Sequence, residues 1–221
     1  MQVQKNVAEN WQKITGNVLS VGYGLSETSP AASIDPIGVE KFSDTLGLPL
    51  PSTEISIQDD LGNHLKFNEP GEICIRGPQV MKGYWNNEEE TKNVMTHDGW
   101  FKTGDIGIMT EEGFPKIVDR KKDMIIISGF NVYPNEIEEI AMMNENVFEA
   151  GCIGTLDNEG NEKIKLFISK VPNSNLTKQE VIDHCKKYLT GYKIPEIVEF
   201  INEIPKSNVG KILRRKLRDI K

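Results

Sequence analysis

The side chains best placed for chemistry in this 221-residue chain sit on glycine turns and in a basic tail. "GYGLSE" (residues 22–27) sets an aromatic ring, a hydroxyl and a carboxylate (Tyr23, Ser26, Glu27) around Gly24. "GWFKTGDIG" (99–107) offers Asp105, and "VDRKK" (118–122) offers Arg120 and Lys122. The last stretch, "EIPKSNVGKILRRKLRDIK" (203–221), sets Lys206, Lys211, Arg214, Arg215, Lys216, Arg218 and Lys221 against Glu203 and Asp219. That is a net +5 in a chain whose total is −7, so the tail is built to meet an anion.

Two near-matches to phosphate loops fail. "GYGLSE" has Glu27 where G-x-G-x-x-G needs its last glycine. "PKSNVGK" has Pro205 at the first glycine position of a Walker loop, and Ile212 follows its lysine. His64, His97 and His184 stand alone, and Cys74, Cys152 and Cys185 have no metal-ligand spacing, so reduced thiols and no metal cage are expected. The acidic balance excludes a nucleic-acid binder acting through its whole surface. No apolar run reaches membrane length, "MIIIS" (124–128) being strand-sized. The first sixteen residues lack a signal peptide's apolar core, which leaves the sequon at Asn175 without meaning and the expected location cytoplasmic.

These residues need elements to position them. Val7, Trp11 and Ile14 at helical spacing predict a helix over about 5–15, stopped at Gly16. "NVLSVGYGLSE" reads as a short buried strand entering a glycine turn. From Gly47 to about Val118 the alternations Ile55/Ile57 and Ile73/Ile75 and the recurring glycines predict β-structure, a small barrel or a folded sheet. "KIVDRKKDMIII" reads as strand, charged knot, strand: a domain boundary or an exposed hairpin. Beyond it the pattern is α+β. Pro134 opens a helix, "AGCIG" and "IKLFISKV" are strands, and Thr177 with Glu180 forms a capping box for a helix whose buried face is Val181, Cys185, Tyr188 and Leu189, closed by Gly191. Leu213, Leu217 and Ile220 share a helical face in the tail. The fold class is mixed α/β.

Taken in order, "YGLSE", "GWFKTGDIG", "VDRKKDMIIISGFNVYPNEIE" and "PKSNVGKILRRKL" resemble the adenylate-forming superfamily of acyl-CoA synthetases, luciferases and peptide-synthetase adenylation domains. "GLPLPSTE", "GPQVMKGYW" and "LTGYKIP" make the chain most similar to bacterial long-chain fatty-acid–CoA ligases, specifically to their C-terminal portion. The resemblance implies residues 1–119 as the end of a large AMP-binding domain with a β-barrel-like subdomain at 47–118. Residues 120–221 would then be a small mobile α+β domain. It implies ATP and magnesium, CoA as co-substrate, and a long-chain acid as the carboxylate joined to AMP and then to CoA. Such chemistry brings two anions together and needs fixed positive charge and positioning.

Residue by residue, the resemblance makes Lys211 the adenylation lysine, Tyr23 the ring on adenine and Gly24 and Ser26 part of the nucleotide turn. Glu27 becomes the magnesium ligand, Asp105 the ribose ligand and Arg120 its partner. Lys122 falls at the hinge and Gly129 beside the path of the CoA arm. The arginines after Lys211 have three readings: an anchor on acidic surface, a contact to CoA phosphates, or nothing specific. The sequence departs from the family pattern at Ser26 (usually Thr), at Trp100-Phe101-Lys102 (usually Trp-Leu-His), and at Pro115, where leucine is common. The family's upstream phosphate loop and acyl tunnel are not in these residues. The expectations are therefore a chain weakly active or inactive alone, apolar surface bared around Val18–Val21, and the missing N-terminal part as a partner. Peripheral contact with the inner face of a membrane is left open, and no nucleic acid is expected. The alternatives are another acyl- or aryl-adenylating CoA ligase, or a non-catalytic remnant whose tail binds an acidic partner.

Overall fold

A computed structural model describes residue 3, residues 5–208 and residues 210–220. Lys221, counted above in the basic tail, lies outside the described residues. The chain divides into two compact units, Met1–Lys121 and Lys122–Lys221.

The first unit opens with helix α1 (Lys5–Thr15). Three two-residue strands follow, β1 (Gly22–Tyr23), β2 (Ser33–Ile34) and β3 (Leu48–Pro49), which pair antiparallel in that order. A larger antiparallel meander comes next: β4 (Glu54–Gln58), β5 (Gly71–Arg76), β6 (Phe101–Met109) and β7 (Pro115–Arg120). Helix α2 (Glu88–Val94) lies between β5 and β6 in the chain. It is capped by Asn87, which accepts from the Glu90 N–H at 3.1 Å, and three glutamates fill its first turn. Ile57, Ile73, Ile75 and Ile117 pack with Ala32 and Leu46 into the core of this unit. Phe101 is 2% exposed, so the residue that departs from the family's leucine is a packing residue.

The expected barrel is not formed. Edge strands β4 and β7 do not pair with each other among the described residues, and the sheet stays open. Register shifts at Glu72/Cys74 and Ile106/Gly107 bend it instead. The bared apolar surface is also not where it was expected. Val18, Leu19 and Val21 are half-buried, whereas Val7, Trp11, Ile14, Ile34 and Ile37 are exposed. The apolar face of α1 was legible, but its spacing says nothing about what covers it.

The second unit begins with a tight hairpin, β8 (Ile125–Ile127) and β9 (Phe130–Val132). Its two turn residues, Ser128 and Gly129, both have positive φ (50° and 84°), as a two-residue primed turn requires. Helix α3 (Pro134–Met142) starts with proline at its first position. Strands β10 (Val147–Leu156) and β11 (Glu162–Lys170) pair antiparallel, and β12 (Ile197–Phe200) joins β11 in parallel. Helix α4 (Lys178–Cys185) carries the expected capping box, Thr177 and Glu180 exchanging hydrogen bonds. It ends at Cys185, earlier than its pattern suggested. Val181, Cys185 and Leu189 are buried, but Tyr188 is 54% exposed because it follows the last helical turn and leans on His184. The tail folds into the short helix α5 (Arg214–Arg218), with Leu217 buried against Ile153, Phe167 and Ile204.

Candidate functional site

Asp105 and Arg120 face each other across β6 and β7, direct partners in the ladder. Asp105 is 6% exposed; its Oδ1 lies 3.5 Å from Arg120 Nε, and its Oδ2 accepts from the Tyr23 hydroxyl at 2.8 Å. The bulged stretch Thr103–Asp105 of β6 is tied down at three points. Thr103 Oγ1 donates to the Ile73 carbonyl, the Asp105 N–H donates to Thr103 Oγ1, and the Gly104 N–H donates to Glu72 Oε1 at 2.9 Å. Gly104 has φ 72°, a conformation a side chain would strain. Burial, and then the charge of Asp105, push the Tyr23 hydroxyl above the ordinary phenol range, so it stays a donor. Together Tyr23, Asp105 and Arg120 line a cavity of about 320 Å³ with Gly22, Gly24, Leu46 and Ile117. The lining thus joins the Tyr23 ring to an acid held between that ring's own hydroxyl and a guanidinium.

Ser26 and Glu27 follow on a single 3-10 turn, Ser26–Thr28. Buried Thr28 fixes it, accepting from the Leu25 N–H and donating to the Leu25 and Pro30 carbonyls. Ser26 is exposed and Glu27 half-buried. Glu27 Oε1 accepts from the Tyr84 hydroxyl at 2.9 Å, and burial together with this carboxylate pushes Tyr84 up to about 12. Gly24 is a glycine because its place is taken: a Cβ there would stand 1.9 Å from the Pro30 carbonyl oxygen.

The second unit holds Lys211, Gly129 and Lys122. Lys211 sits in a turn closed on both sides: the Ser207 N–H donates to the Lys211 carbonyl at 2.8 Å, and the Lys211 N–H donates to Ser207 Oγ at 3.2 Å. Lys122 is exposed in the 3-10 turn Lys121–Asp123. Gly129 has open space where a Cβ would go. Of the three readings of the arginines, the anchor holds for two. Arg214 reaches Glu138 at 2.8 Å, Asn135 at 2.7 Å, Asp123 at 3.4 Å and the Cys152 carbonyl at 3.2 Å. Arg218 reaches the other Asp123 oxygen at 3.0 Å. Lys206 pairs with Glu149. Much of the tail's charge therefore meets acids of its own unit.

Three contributors escaped the sequence reading: Tyr84, Thr103 and Glu72. Glu72 had a signal, since it opens a strand of otherwise apolar buried residues and is itself only 8% exposed. A buried acid in such a strand needs partners.

The sequence profile of AMP-binding enzymes matches residues 1–85, and that of the AMP-binding enzyme C-terminal domain matches residues 136–211. The chain belongs to the AMP-binding enzyme family. It is 52% identical over 99% of its length to a long-chain-fatty-acid–CoA ligase of Yersinia pestis, and 43% identical over 96% to one of Bacillus subtilis. It spans 39% and 38% of the length of those relatives. Among solved structures, ATP-bound MatB from Rhodopseudomonas palustris superposes with a TM-score of 0.92 at 30% identity, over 97% of this chain and 43% of that one. The AMP complex of o-succinylbenzoate coenzyme A synthetase (MenE) from Bacillus subtilis gives 0.83 at 32% identity, over all of this chain and 44% of that one. Both neighbours are crystallised with an adenine nucleotide, and the AMP-binding family profile begins on the segment that contributes Tyr23.

Proposed function

We propose that this chain carries the adenine-nucleotide site and the adenylation lysine of an ATP-dependent long-chain fatty-acid–CoA ligase. The observation that carries the reading is the Tyr23–Asp105–Arg120 constellation around its cavity. The identity to long-chain-fatty-acid–CoA ligases supports the substrate class.

In this reading the face of Tyr23 takes adenine and Asp105 accepts from the two ribose hydroxyls, for which its buried carboxylate is already oriented by Tyr23 and Arg120. Ser26 donates to a phosphate oxygen. Glu27 fits the demand of magnesium, which is bound through one or two carboxylates plus substrate phosphates. Tyr84 engages Oε1 of that carboxylate, and no cluster of three His, Cys, Asp or Glu ligands exists among the described residues. Bound there, magnesium would neutralise phosphate charge. Lys211 supplies an ammonium on a turn whose backbone is pinned at both ends. It neutralises the carboxylate and α-phosphate oxygens as the carboxylate attacks phosphorus and pyrophosphate leaves. The thiol of CoA then attacks the acyl carbon and AMP departs, with Gly129 beside the thiol's approach and Lys122 at the pivot. No helix among the described residues is long and apolar enough to cross a membrane. A cytoplasmic location with peripheral contact to lipid belongs to the same reading.

The test is fatty-acid-dependent ATP–pyrophosphate exchange, with this chain alone and mixed with a polypeptide covering the rest of the relatives' length. Exchange confined to the mixture and abolished by Lys211→Ala supports the reading. Exchange indifferent to Lys211→Ala, or none despite demonstrated binding of the two polypeptides, overturns it.

A further inference from the structure

Glu72 holds two things at once. One carboxylate oxygen accepts from the Gly104 N–H at 2.9 Å, directly before Asp105; the other accepts from Lys121 Nζ at 2.9 Å, directly before Lys122. Its neighbours run a parallel link, since Arg120 reaches Asp105 itself. Arg120, the last residue of β7, and Lys121, the first of the 3-10 turn, are thus tied to two consecutive residues of the Thr103–Asp105 bulge of β6, one pair directly and the other through Glu72. Lys121 also touches Asp60, whose side chain is 84% exposed, but the Glu72 side chain is only 10% exposed. The link to Glu72 is the one that resists water and salt. Burial weakens the Lys121 charge, but Asp60 and Glu72 more than offset it and hold the amine above its usual range.

Resting on the nucleotide reading above, we infer that Glu72 is a positioning residue that couples occupancy of Asp105 to the segment Lys121–Asp123, where the chain passes from one unit to the next. The physical route is local opening. A nucleotide on Asp105 suppresses every opening that breaks the Thr103–Asp105 bulge. As long as Lys121 is held by Glu72, opening of the junction breaks that bulge as well. When the link is cut, the junction opens independently of the nucleotide.

The experiment is amide hydrogen exchange of this chain with AMP at about 100 times its Kd, a condition that slows such openings about 100-fold. In the wild type, exchange at residues 120–123 should slow by up to that factor. In Lys121→Gln the affinity should stay within about threefold (~0.7 kcal/mol) and Arg120 should remain protected through Asp105, while protection at 122 and 123 falls below about threefold. Lys121→Arg should restore it, and Glu72→Gln should lose it as Lys121→Gln does. A merely structural role would shift exchange equally with and without AMP. Protection at 122 and 123 that survives Lys121→Gln overturns the inference even if Glu72→Gln fails to fold. Absence of that protection in a wild type that binds AMP overturns it too. A wild type that does not bind AMP, or an Asp105→Ala variant that binds as well as wild type, overturns the nucleotide reading first.

Discussion

Tyr23 and Asp105, 82 residues apart in sequence, meet at 2.8 Å, the phenol donating to a carboxylate almost out of reach of water. The bond sets a buried acid in one orientation before any ligand arrives, and it depends on the phenol remaining protonated, which burial ensures.

Removing the two partners should therefore have unequal effects on AMP binding. Asp105→Ala deletes the ribose acceptor and should abolish measurable binding. Tyr23→Phe keeps the ring and loses only the donor; a hydrogen bond to a charged group contributes about 1.5–3 kcal/mol, so affinity should fall roughly 10- to 100-fold. Titration calorimetry on the two variants decides it. Equal losses in both would mean that the hydroxyl, rather than the ring, carries the contact to the base.

The basic tail was read as a site for an external anion, and much of it proves to be internal architecture. Arg214 is the case to test, because both of its acidic partners are buried, Glu138 to 6% and Asp123 to 9% side-chain exposure. Arg214→Met takes a guanidinium from the buried Glu138 carboxylate and leaves Asp123 to Arg218 alone, and should destabilise the second unit by about 3–5 kcal/mol in urea unfolding. Lys163→Met breaks the exposed pair with Glu196 and should leave the urea midpoint close to that of the wild type. Similar losses in the two variants would refute the distinction.

Alkaline pH should unfold the second unit through Cys185. Burial raises this thiol to about 11, whereas an exposed cysteine titrates near 9. The folded state therefore holds a proton that the unfolded state releases. The stabilisation is complete below pH 9 and is lost as pH rises through 11, with a slope approaching about 1.4 kcal/mol per pH unit. Urea midpoints from pH 8 to 11 should fall less steeply in Cys185→Ala, although that variant starts less stable because of its cavity. Parallel curves would remove Cys185 from the account. In the first unit Cys74, raised to about 12 by burial and then by Glu72, should behave in the same sense over a higher window.

Much of this molecule could be read from local signals. Pro134 opening α3, the Thr177–Glu180 box and the alternation of Ile73 and Ile75 each act through their own backbone neighbours, so sequence spacing contains them. What could not be read depends on partners far along the chain. The Tyr23–Asp105 bond, the Glu27–Tyr84 bond and the Glu72 bridge join segments far apart in sequence, and the bulge of β6 that presents Gly104 and Asp105 leaves no trace in a pattern of alternation. The barrel and the bared surface failed for the same reason. Both ask what lies across from an apolar face, and periodicity reports only that the face exists.

Gly129 separates a conformational requirement from a spatial one. Its φ of 84° belongs to the left-handed region, and a Cβ added there would touch nothing within 4 Å. Gly129→Ala should therefore cost about 1–2 kcal/mol in thermal or urea unfolding through backbone strain alone. Gly129→Asn, whose side chain tolerates that conformation, should recover at least half of the loss. If the glycine is also kept bare for the approach of CoA, Gly129→Asn will regain stability without regaining thioester formation in the mixture that restores pyrophosphate exchange. Recovery of both would make Gly129 a turn residue only, and the CoA arm would have to pass elsewhere.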